Sequence, residues 1–206
     1  MIKNILFDFD GVILDSMPVR DFGFRKIFED FDDDLVEKLL AFHNANGGLS
    51  RYVKIRYFYE ELLKKPISEE EINDYANKFS LIMKGELSKK KYLIRETLDF
   101  IQNNYQFYNF HIVSGSDEKE LRFLCETLEI ARYFISIHGS PTPKNELVGT
   151  LMQEYNYDAS ETILIGDSIN DYEAAQLHDI PFYGFNNTQL IPYATKYLQD
   201  YKELYK

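Results

Sequence analysis

The first residues capable of chemistry are two aspartates at the end of a short apolar run, Phe7-Asp8-Phe9-Asp10-Gly11. Successive side chains of a strand point to opposite faces, so we expect Asp8 and Asp10 on the same side. Two close carboxylates repel each other, and both stay ionised only beside a cation or with a shared proton. The alternative is a pair of loop-initiating aspartates before a turn glycine, and an isolated Asp-x-Asp-Gly is a weak signal.

A second segment, Val113-Ser114-Gly115-Ser116-Asp117, places a hydroxyl and a glycine between a buried strand and a helix that begins near Asp117. Free amides at a helix N-terminus suit an anion such as phosphate, which makes Ser114 and Gly115 candidate phosphate ligands. The alternative is an ordinary helix cap in which Asp117 and Glu120 form a capping pair. Taken alone, this segment favours the cap.

A third segment, Ile165-Gly166-Asp167-Ser168-Ile169-Asn170-Asp171, carries two acids four residues apart directly after an apolar strand. Such hard oxygen ligands suit Mg²⁺, which is held by few carboxylates together with waters and substrate phosphate. Turn and cap chemistry explains this segment equally well in isolation. Lys144 is by default a solvated surface lysine, but an ammonium near paired acids would hold a nucleophile and a phosphate together.

The elements that must position these segments follow from the hydrophobic pattern. Between about residues 18 and 86, apolar residues recur at spacings of three and four in four stretches, as in amphipathic helices. After residue 94 helices and strands alternate, and the runs at 112–113 and 163–165 are apolar on both faces, as in buried parallel strands. This order predicts an α/β fold, a doubly wound parallel sheet of Rossmann-like type with helices on both faces.

The pattern also predicts two domains. We assign residues 1–15 and 87–206 to the α/β core and residues 16–86 to a helical domain inserted at its first loop. Within the insertion, Gly47-Gly48 predicts a flexible turn. The end of the core predicts a final polar helix with one face of docked tyrosines, namely Tyr193, Tyr197, Tyr201 and Tyr205.

Composition excludes several classes of protein. The 206 residues, 45% hydrophobic and 28% charged, are typical of a globular chain rather than of disorder, collagen or a coiled coil. A formal net charge of −11 argues against nucleic-acid binding, which needs a basic face. No apolar run approaches the roughly 20 residues of a membrane span, and the first residues have too short an apolar stretch for a secretory signal. The single cysteine, Cys125, excludes an internal disulfide, so we expect a cytoplasmic protein.

Together, Asp-x-Asp-Gly, Ser-Gly, Lys and Gly-Asp-Ser-x-x-Asp occur in an order that resembles the haloacid dehalogenase superfamily. The α/β core matches that family over about two thirds of the chain. The helical insertion looks like the small cap of its phosphatase and β-phosphoglucomutase-like subgroup. The resemblance implies that Asp8 is a nucleophile that forms an aspartyl-phosphate, and that Asp10 is the general acid and base.

The same resemblance implies Mg²⁺ as the cofactor. Its ligands would be Asp8, the backbone carbonyl of Asp10, Asp167 and, in support, Asp171. The oxygens of the transferring phosphate would be bound by Ser114, Gly115 and Lys144.

In the insertion, Gly48-Leu49-Ser50-Arg51 resembles the substrate-selecting loop of sugar-phosphate members of the family. Arg51 would then make a bidentate contact with a second anionic group, the alternative being a helix-start arginine that faces solvent. Arg20 stands where β-phosphoglucomutases have a histidine, which argues against mutase chemistry. It would bind substrate or form a salt bridge on the cap surface. The histidines lack metal-ligand spacing, and we expect structural roles for His43, His111, His138 and His178.

These observations predict a Mg²⁺-dependent phosphatase of a small phosphorylated metabolite, a sugar phosphate or a related compound, with neither nucleic acid nor a membrane as partner. Asp10 favours phosphoryl transfer over dehalogenation, because expelling a halide needs no acid. The alternatives are a phosphosugar mutase and a catalytically silent binding protein on the same fold. The oligomeric state does not follow from the sequence.

Overall fold

The computed structural model describes residues 1–204 of the chain. Its centre is a parallel sheet of six strands in the order β3-β2-β1-β4-β5-β6. β1 lies between β2 and β4, and its four residues, Asn4 and three apolar ones, are all buried. The strand bounds are β1 Asn4–Phe7, β2 Asn109–Asp117, β3 Ser136–Ser140, β4 Thr162–Gly166, β5 Phe182–Gly184 and β6 Lys196–Tyr197.

Four helices lie between β1 and the next core helix. They are α1 Met17–Ile27, α2 Asp33–Ala45, α3 Arg51–Tyr57 and α4 Glu69–Leu87, and we call them the cap helices. A π-helical turn, Phe58–Leu62, continues α3. The helices that alternate with the later strands are α5 Arg95–Asn104, α6 Glu118–Thr127, α7 Lys144–Glu154 and α8 Ile169–Leu177.

Aromatic side chains hold the cap helices together. Phe24 of α1 lies 4.6 Å from Phe79 of α4 between ring centroids, and Phe28 stacks on Phe58 at 4.1 Å. Helices α1 and α4 approach closely at Gly23, where an added Cβ would lie only 2.5 Å from a methionine methyl of α4. Phe24, Phe28, Phe58 and Phe79 therefore form a core, as the helical spacing indicates, whereas Phe22 of the same pattern is exposed.

The end of the chain differs from its sequence pattern. Instead of a final helix, Lys196–Tyr197 forms the short edge strand β6, and the amide of Leu198 donates to Gly184 at 2.8 Å. Pro192 lacks an amide hydrogen and disfavours a continuous helix here. Of the tyrosines predicted on one helix face, Tyr201 is buried in a 3₁₀ turn, Tyr193 is exposed, and Tyr205 lies outside the described residues. The prediction of a final helix is wrong.

The predicted α/β class, parallel sheet and four helices after the first strand are confirmed. The division into a core of residues 1–15 and 87–206 and an insertion of residues 16–86 stays a prediction. Within residues 1–204, no helix combines the length and apolar character needed to cross a bilayer.

Candidate active site

The sequence-predicted acids meet at the carboxyl edge of the sheet, where ligands bind in open α/β folds. Asp8 directly follows the central strand, and its amide donates to Ile165 of β4 at 2.9 Å. Asp167 follows β4, and its side chain lies so close to Gly11 that a Cβ on that glycine would collide with it. Gly11 has a positive φ of 75°, which favours glycine for a second reason.

A buried lysine joins two of these acids. Lys144 Nζ lies 2.8 Å from Asp8 Oδ1 and also donates to Asp171 Oδ1. Burial opposes the charge of Lys144, but the carboxylates of Asp171 and Asp8 outweigh it and raise its pKa. Lys144 is thus a fixed ammonium beside the candidate nucleophile, and the default of a solvated surface lysine is wrong.

Three carboxylates are crowded enough to hold a metal ion. One oxygen from each of Asp8, Asp167 and Asp171 lies within 4.8 Å of the others. Burial, followed by the neighbouring carboxylates, raises the pKa of Asp8 and of Asp167. A divalent cation would relieve this repulsion, and oxygen donors of this kind suit Mg²⁺. The residues therefore fit a magnesium ion.

Asp171 already has partners in the protein. Its Oδ2 accepts from the amide and the hydroxyl of Ser168, at 2.9 and 2.7 Å, in a capping box at the start of α8. Its other oxygen accepts from Lys144. Asp171 is thus both a helix cap and the residue that orients Lys144, while its metal role stays a prediction.

Asp10 has a different environment from Asp8. Its Oδ1 accepts from Arg20 Nε at 2.6 Å and from the Ser16 hydroxyl, and its Oδ2 accepts from Ser116 Oγ at 2.5 Å. Burial alone would raise the pKa of Asp10, but Arg20 and the two hydroxyls outweigh burial and lower it. The pKa is therefore raised at Asp8 and lowered at Asp10, so the two aspartates of the first motif differ in how readily they take up a proton.

The predicted phosphate-binding segment contacts the cap. Ser114 is buried and its Oγ accepts from the amide of Ser116 at 3.1 Å. A Cβ on Gly115 would lie 2.9 Å from the carbonyl carbon of Gly48, and one on Gly48 would lie 2.8 Å from Ser168 Oγ. In the turn predicted for its flexibility, Gly48 is thus required for close packing of the cap against the core, whereas a Cβ on Gly47 would lie 3.7 Å from its nearest neighbour, an ordinary contact.

Both candidate arginines are buried and paired with Glu120 of α6. Arg51 Nη1 donates to Glu120 Oε2 at 2.6 Å and to Ser80 Oγ at 2.6 Å. Arg20 Nη1 donates to Glu120 Oε1 at 3.2 Å. A solvent-facing Arg51 and a salt bridge of Arg20 on the cap surface are therefore both wrong, and contact of either arginine with substrate stays a prediction.

Glu120 also corrects the expected capping pair. Asp117 caps α6 by accepting from the amide of Glu120 at 2.9 Å, as predicted. The Glu120 carboxylate is fully buried and accepts from Arg20 and Arg51 rather than capping the helix. No local sequence signal distinguishes this role from capping.

Sequence reasoning also missed Lys54, which is buried with an exposed fraction of 2%. Its Nζ lies 2.8 Å from His43 Nδ1 and donates to the Gly47 carbonyl at 3.3 Å. Lys54 stands three residues after Arg51 on the same helix, so the two share a face, and that spacing was the available signal. Burial and then the charge of Arg20 lower the pKa of Lys54 to about 7.

The remaining histidines have protein partners. His111 contacts Ser136 Oγ at 2.7 Å and Tyr157 OH at 2.9 Å. His138 also contacts Ser136 Oγ at 2.7 Å, and His178 contacts the Asn145 carbonyl at 2.7 Å. These contacts agree with the structural roles expected for them.

Comparison with known proteins identifies the family. The sequence profile of the haloacid dehalogenase-like hydrolases matches residues 5–185. The chain belongs to this family. The predicted family and the prediction of a hydrolytic enzyme are confirmed.

Individual relatives are more distant. The phosphoglycolate phosphatase of Vibrio parahaemolyticus is 26% identical over 196 residues, which span 85% of this chain and 79% of the relative. A phosphorylated carbohydrates phosphatase of Thermotoga maritima is 21% identical over 185 residues, spanning 84% of this chain and 80% of the relative. The crystal structure of β-phosphoglucomutase from Clostridium difficile superposes with a TM-score of 0.77 at 18% identity, covering 100% of this chain and 94% of that one. This structural likeness shows the shared fold.

Proposed function

We propose that the chain is a Mg²⁺-dependent phosphatase that hydrolyses a small phosphomonoester through an aspartyl-phosphate on Asp8. The observation that carries the proposal is the buried pair of Asp8 and Lys144, 2.8 Å apart, beside the carboxylate of Asp167. A nucleophilic carboxylate must approach an anionic phosphate, and fixed positive charge at that point is what makes the approach possible.

In the first half of the reaction Asp8 attacks phosphorus and the alcohol leaves. Lys144 contacts the nucleophile and would pair with a phosphate oxygen, while the amide of Gly115 and the Ser114 hydroxyl would bind other phosphate oxygens. A magnesium ion held by Asp8 and Asp167 would supply charge neutralisation between the nucleophile and the phosphate.

In the second half Asp10 removes a proton from the water that hydrolyses the aspartyl-phosphate. Its lowered pKa keeps it ionised and ready as a base. Two hydroxyls and Arg20 fix the direction of its carboxylate. For the first half the same residue enters protonated and donates that proton to the leaving alcohol, which leaves its carboxylate ionised for the second half.

The relatives named above are a phosphoglycolate phosphatase and a phosphatase of phosphorylated carbohydrates. Because their substrates differ, the alcohol that this enzyme releases has to be inferred from its own residues. A small phosphorylated metabolite is the proposed partner. The net charge of −11 supports the exclusion of nucleic acid, and the proposed location is the cytoplasm.

The test is release of phosphate from a panel of phosphorylated metabolites, with Mg²⁺ and with a chelator. The proposal expects Mg²⁺-dependent release that is lost in Asp8→Asn. Conversion of a phosphosugar to an isomer without free phosphate would instead establish a mutase. No turnover of any phosphoester with Mg²⁺ present would contradict the proposal and favour the catalytically silent binding protein.

A further inference from the structure

Two consecutive asparagines, Asn186 and Asn187, lie in the loop that follows β5 at the carboxyl edge of the sheet, and we call them the asparagine pair. The chain is anchored directly before them. Phe185 is buried, and its amide donates to the carbonyl of Gly166, the last residue of β4, at 2.9 Å. The asparagine pair therefore starts from a fixed point beside the end of β4, the strand that Asp167 follows.

Each side chain of the asparagine pair donates to a backbone carbonyl of a different loop. Asn187 Nδ2 donates to the Asp167 carbonyl at 2.8 Å, and Asn186 Nδ2 donates to the Gly11 carbonyl at 3.0 Å. Asn187 Oδ1 also accepts from the amide of Gln189 at 3.1 Å, which fixes the orientation of its amide group. The asparagine pair thus connects the loops that follow β4 and β1, which are neighbouring strands of the sheet.

These two loops supply groups that were predicted above as magnesium ligands, namely the Asp167 carboxylate and the Asp10 carbonyl. The two loops touch each other, because a Cβ on Gly11 would lie only 1.9 Å from Asp167 Oδ2. Gly11 directly follows Asp10 in the chain. A shift of either loop would therefore move the Asp167 carboxylate relative to the other ligands.

Asp167 depends on support from its backbone more than the other two carboxylates of the cluster do. Lys144 Nζ contacts the carboxylates of both Asp8 and Asp171 and so holds these two together. Asp167 instead borders an open cavity of about 470 Å³, which the asparagine pair also lines. Because packing does not enclose Asp167 on that side, the hydrogen bond to its carbonyl is needed to keep its loop in place.

We propose that Asn186 and Asn187 are positioning residues of the magnesium site, which hold the Asp167 loop and the Gly11 turn in one arrangement before the ion binds. The inference rests on the Mg²⁺-dependent function proposed above. Removing a group that orients a metal ligand typically weakens metal binding by about 10- to 100-fold. Mg²⁺ demands near-ideal octahedral geometry, whereas Ca²⁺ accepts longer and more flexible coordination. Loss of either asparagine side chain should therefore weaken binding of Mg²⁺ more than binding of Ca²⁺.

Asn186→Gly removes one of the two donors without straining the backbone. Asn186 is exposed and has a positive φ of 55°, a conformation that glycine adopts freely. Asn156→Gly is the matched control, since Asn156 is also exposed with a positive φ of 50° but lies before β4, at the opposite edge of the sheet. Asn187→Ala removes the other donor, together with the acceptor for the Gln189 amide.

The test is isothermal titration of each protein with Mg²⁺ and, separately, with Ca²⁺. Asn186→Gly and Asn187→Ala are each expected to lower the Mg²⁺ affinity by about 10- to 100-fold and the Ca²⁺ affinity by a smaller factor. Asn156→Gly should keep both wild-type affinities. In hydrolysis of nitrophenyl phosphate, the Mg²⁺ concentration that gives half the maximal rate should rise in the two test variants by the same factor as the dissociation constant.

The outcomes separate the positioning role from the proposed function. Wild-type Mg²⁺ affinity in the test variants, or equal losses of affinity for Mg²⁺ and Ca²⁺, overturns the positioning role while the phosphatase function stands. Asn186→Gly decides the question alone if Asn187→Ala does not fold. A wild-type protein that binds no Mg²⁺ also overturns the positioning role, and if it hydrolyses no phosphoester either, the proposed function falls with it.

Discussion

Replacing Lys54 with methionine removes a buried ammonium but keeps an unbranched apolar stem of similar length. In the folded protein burial, followed by the charge of Arg20, lowers the pKa of Lys54 from 10.5 to about 7. Between pH 7 and pH 10.5, Lys54 is therefore mostly protonated in the unfolded chain and mostly deprotonated in the folded chain. The variant should therefore be more stable than the wild type at neutral pH.

The sign and size of the effect follow from proton linkage. The free energy of unfolding changes by about 1.4 kcal/mol per pH unit for each proton of difference, and it rises with pH when the unfolded state binds more protons. The penalty from Lys54 is thus complete below about pH 7 and disappears as the pH rises to that of an exposed lysine. Between pH 7.5 and 9.5 the wild type should gain about 2.7 kcal/mol relative to Lys54→Met.

Urea denaturation of both proteins at a series of pH values, in buffers free of phosphate and carboxylate, measures this difference. Subtraction of the two curves removes the contribution of groups that titrate in both. Lys38→Met, at an exposed position of α2, should follow the wild type at every pH. A stability difference between wild type and Lys54→Met that stays constant from pH 7.5 to 9.5 would show that Lys54 keeps its proton in the folded state and would refute the reasoning.

Three further changes probe other parts of the site. Asp8→Asn should lower kcat by at least about a thousandfold while the fold stays intact, measured by phosphate release and circular dichroism, since an amide is not a nucleophile toward phosphorus; near-native turnover would contradict the covalent mechanism. Mg²⁺ should raise the Tm of the wild type, and Asp167→Asn should abolish most of that rise because it removes one of the three carboxylates that would hold the ion. An equal rise in the wild type and the variant would exclude Asp167 as a ligand. Glu120→Ala should destabilise the protein by about 3–5 kcal/mol in urea denaturation, since two buried arginines lose their partner, and a loss below about 1 kcal/mol would mean that water replaces it.

The sheet and the edge that carries the candidate site were predictable because short stretches of sequence indicate both. Doubly apolar runs such as Ile163–Ile165 indicate buried parallel strands, and the chemistry of a parallel sheet lies at their carboxyl ends. Asp8 and Asp167 each directly follow such a run, so the pattern that placed the strand also placed the acid.

The cap side of the site was harder to predict because it depends on contacts between distant segments. Arg20, Arg51 and Glu120 are separated by up to 100 residues and meet only when the cap helices pack on α6. Glu120, three residues after Asp117, has the spacing of a capping residue. Its pairing with Arg20 and Arg51 is visible only in the fold. Lys54 is likewise one more lysine of an amphipathic helix until burial sets it apart.

The end of the chain shows how periodicity fails at a sheet edge. Tyrosines at a spacing of four residues are compatible with a helix, but the backbone amides near Tyr197 pair with β5 instead. A two-residue strand is too short to leave an alternating pattern in the sequence. Strand β6 forms because its backbone pairs with β5, not because its own residues carry a strand pattern.

The measurement that tests the central claim most directly is the detection of a phosphoryl group on Asp8. Asp10→Asn removes the base that completes hydrolysis, whereas attack on a substrate with a good leaving group, such as nitrophenyl phosphate, needs little acid catalysis. The account predicts that this variant, mixed with Mg²⁺ and nitrophenyl phosphate and quenched in acid, carries one phosphoryl group on the peptide that contains Asp8. The double variant Asp8→Asn with Asp10→Asn should carry none. An unmodified Asp8 peptide in an Asp10→Asn enzyme that still releases nitrophenol, or the same phosphoryl group in the double variant, would contradict a covalent aspartyl-phosphate on Asp8.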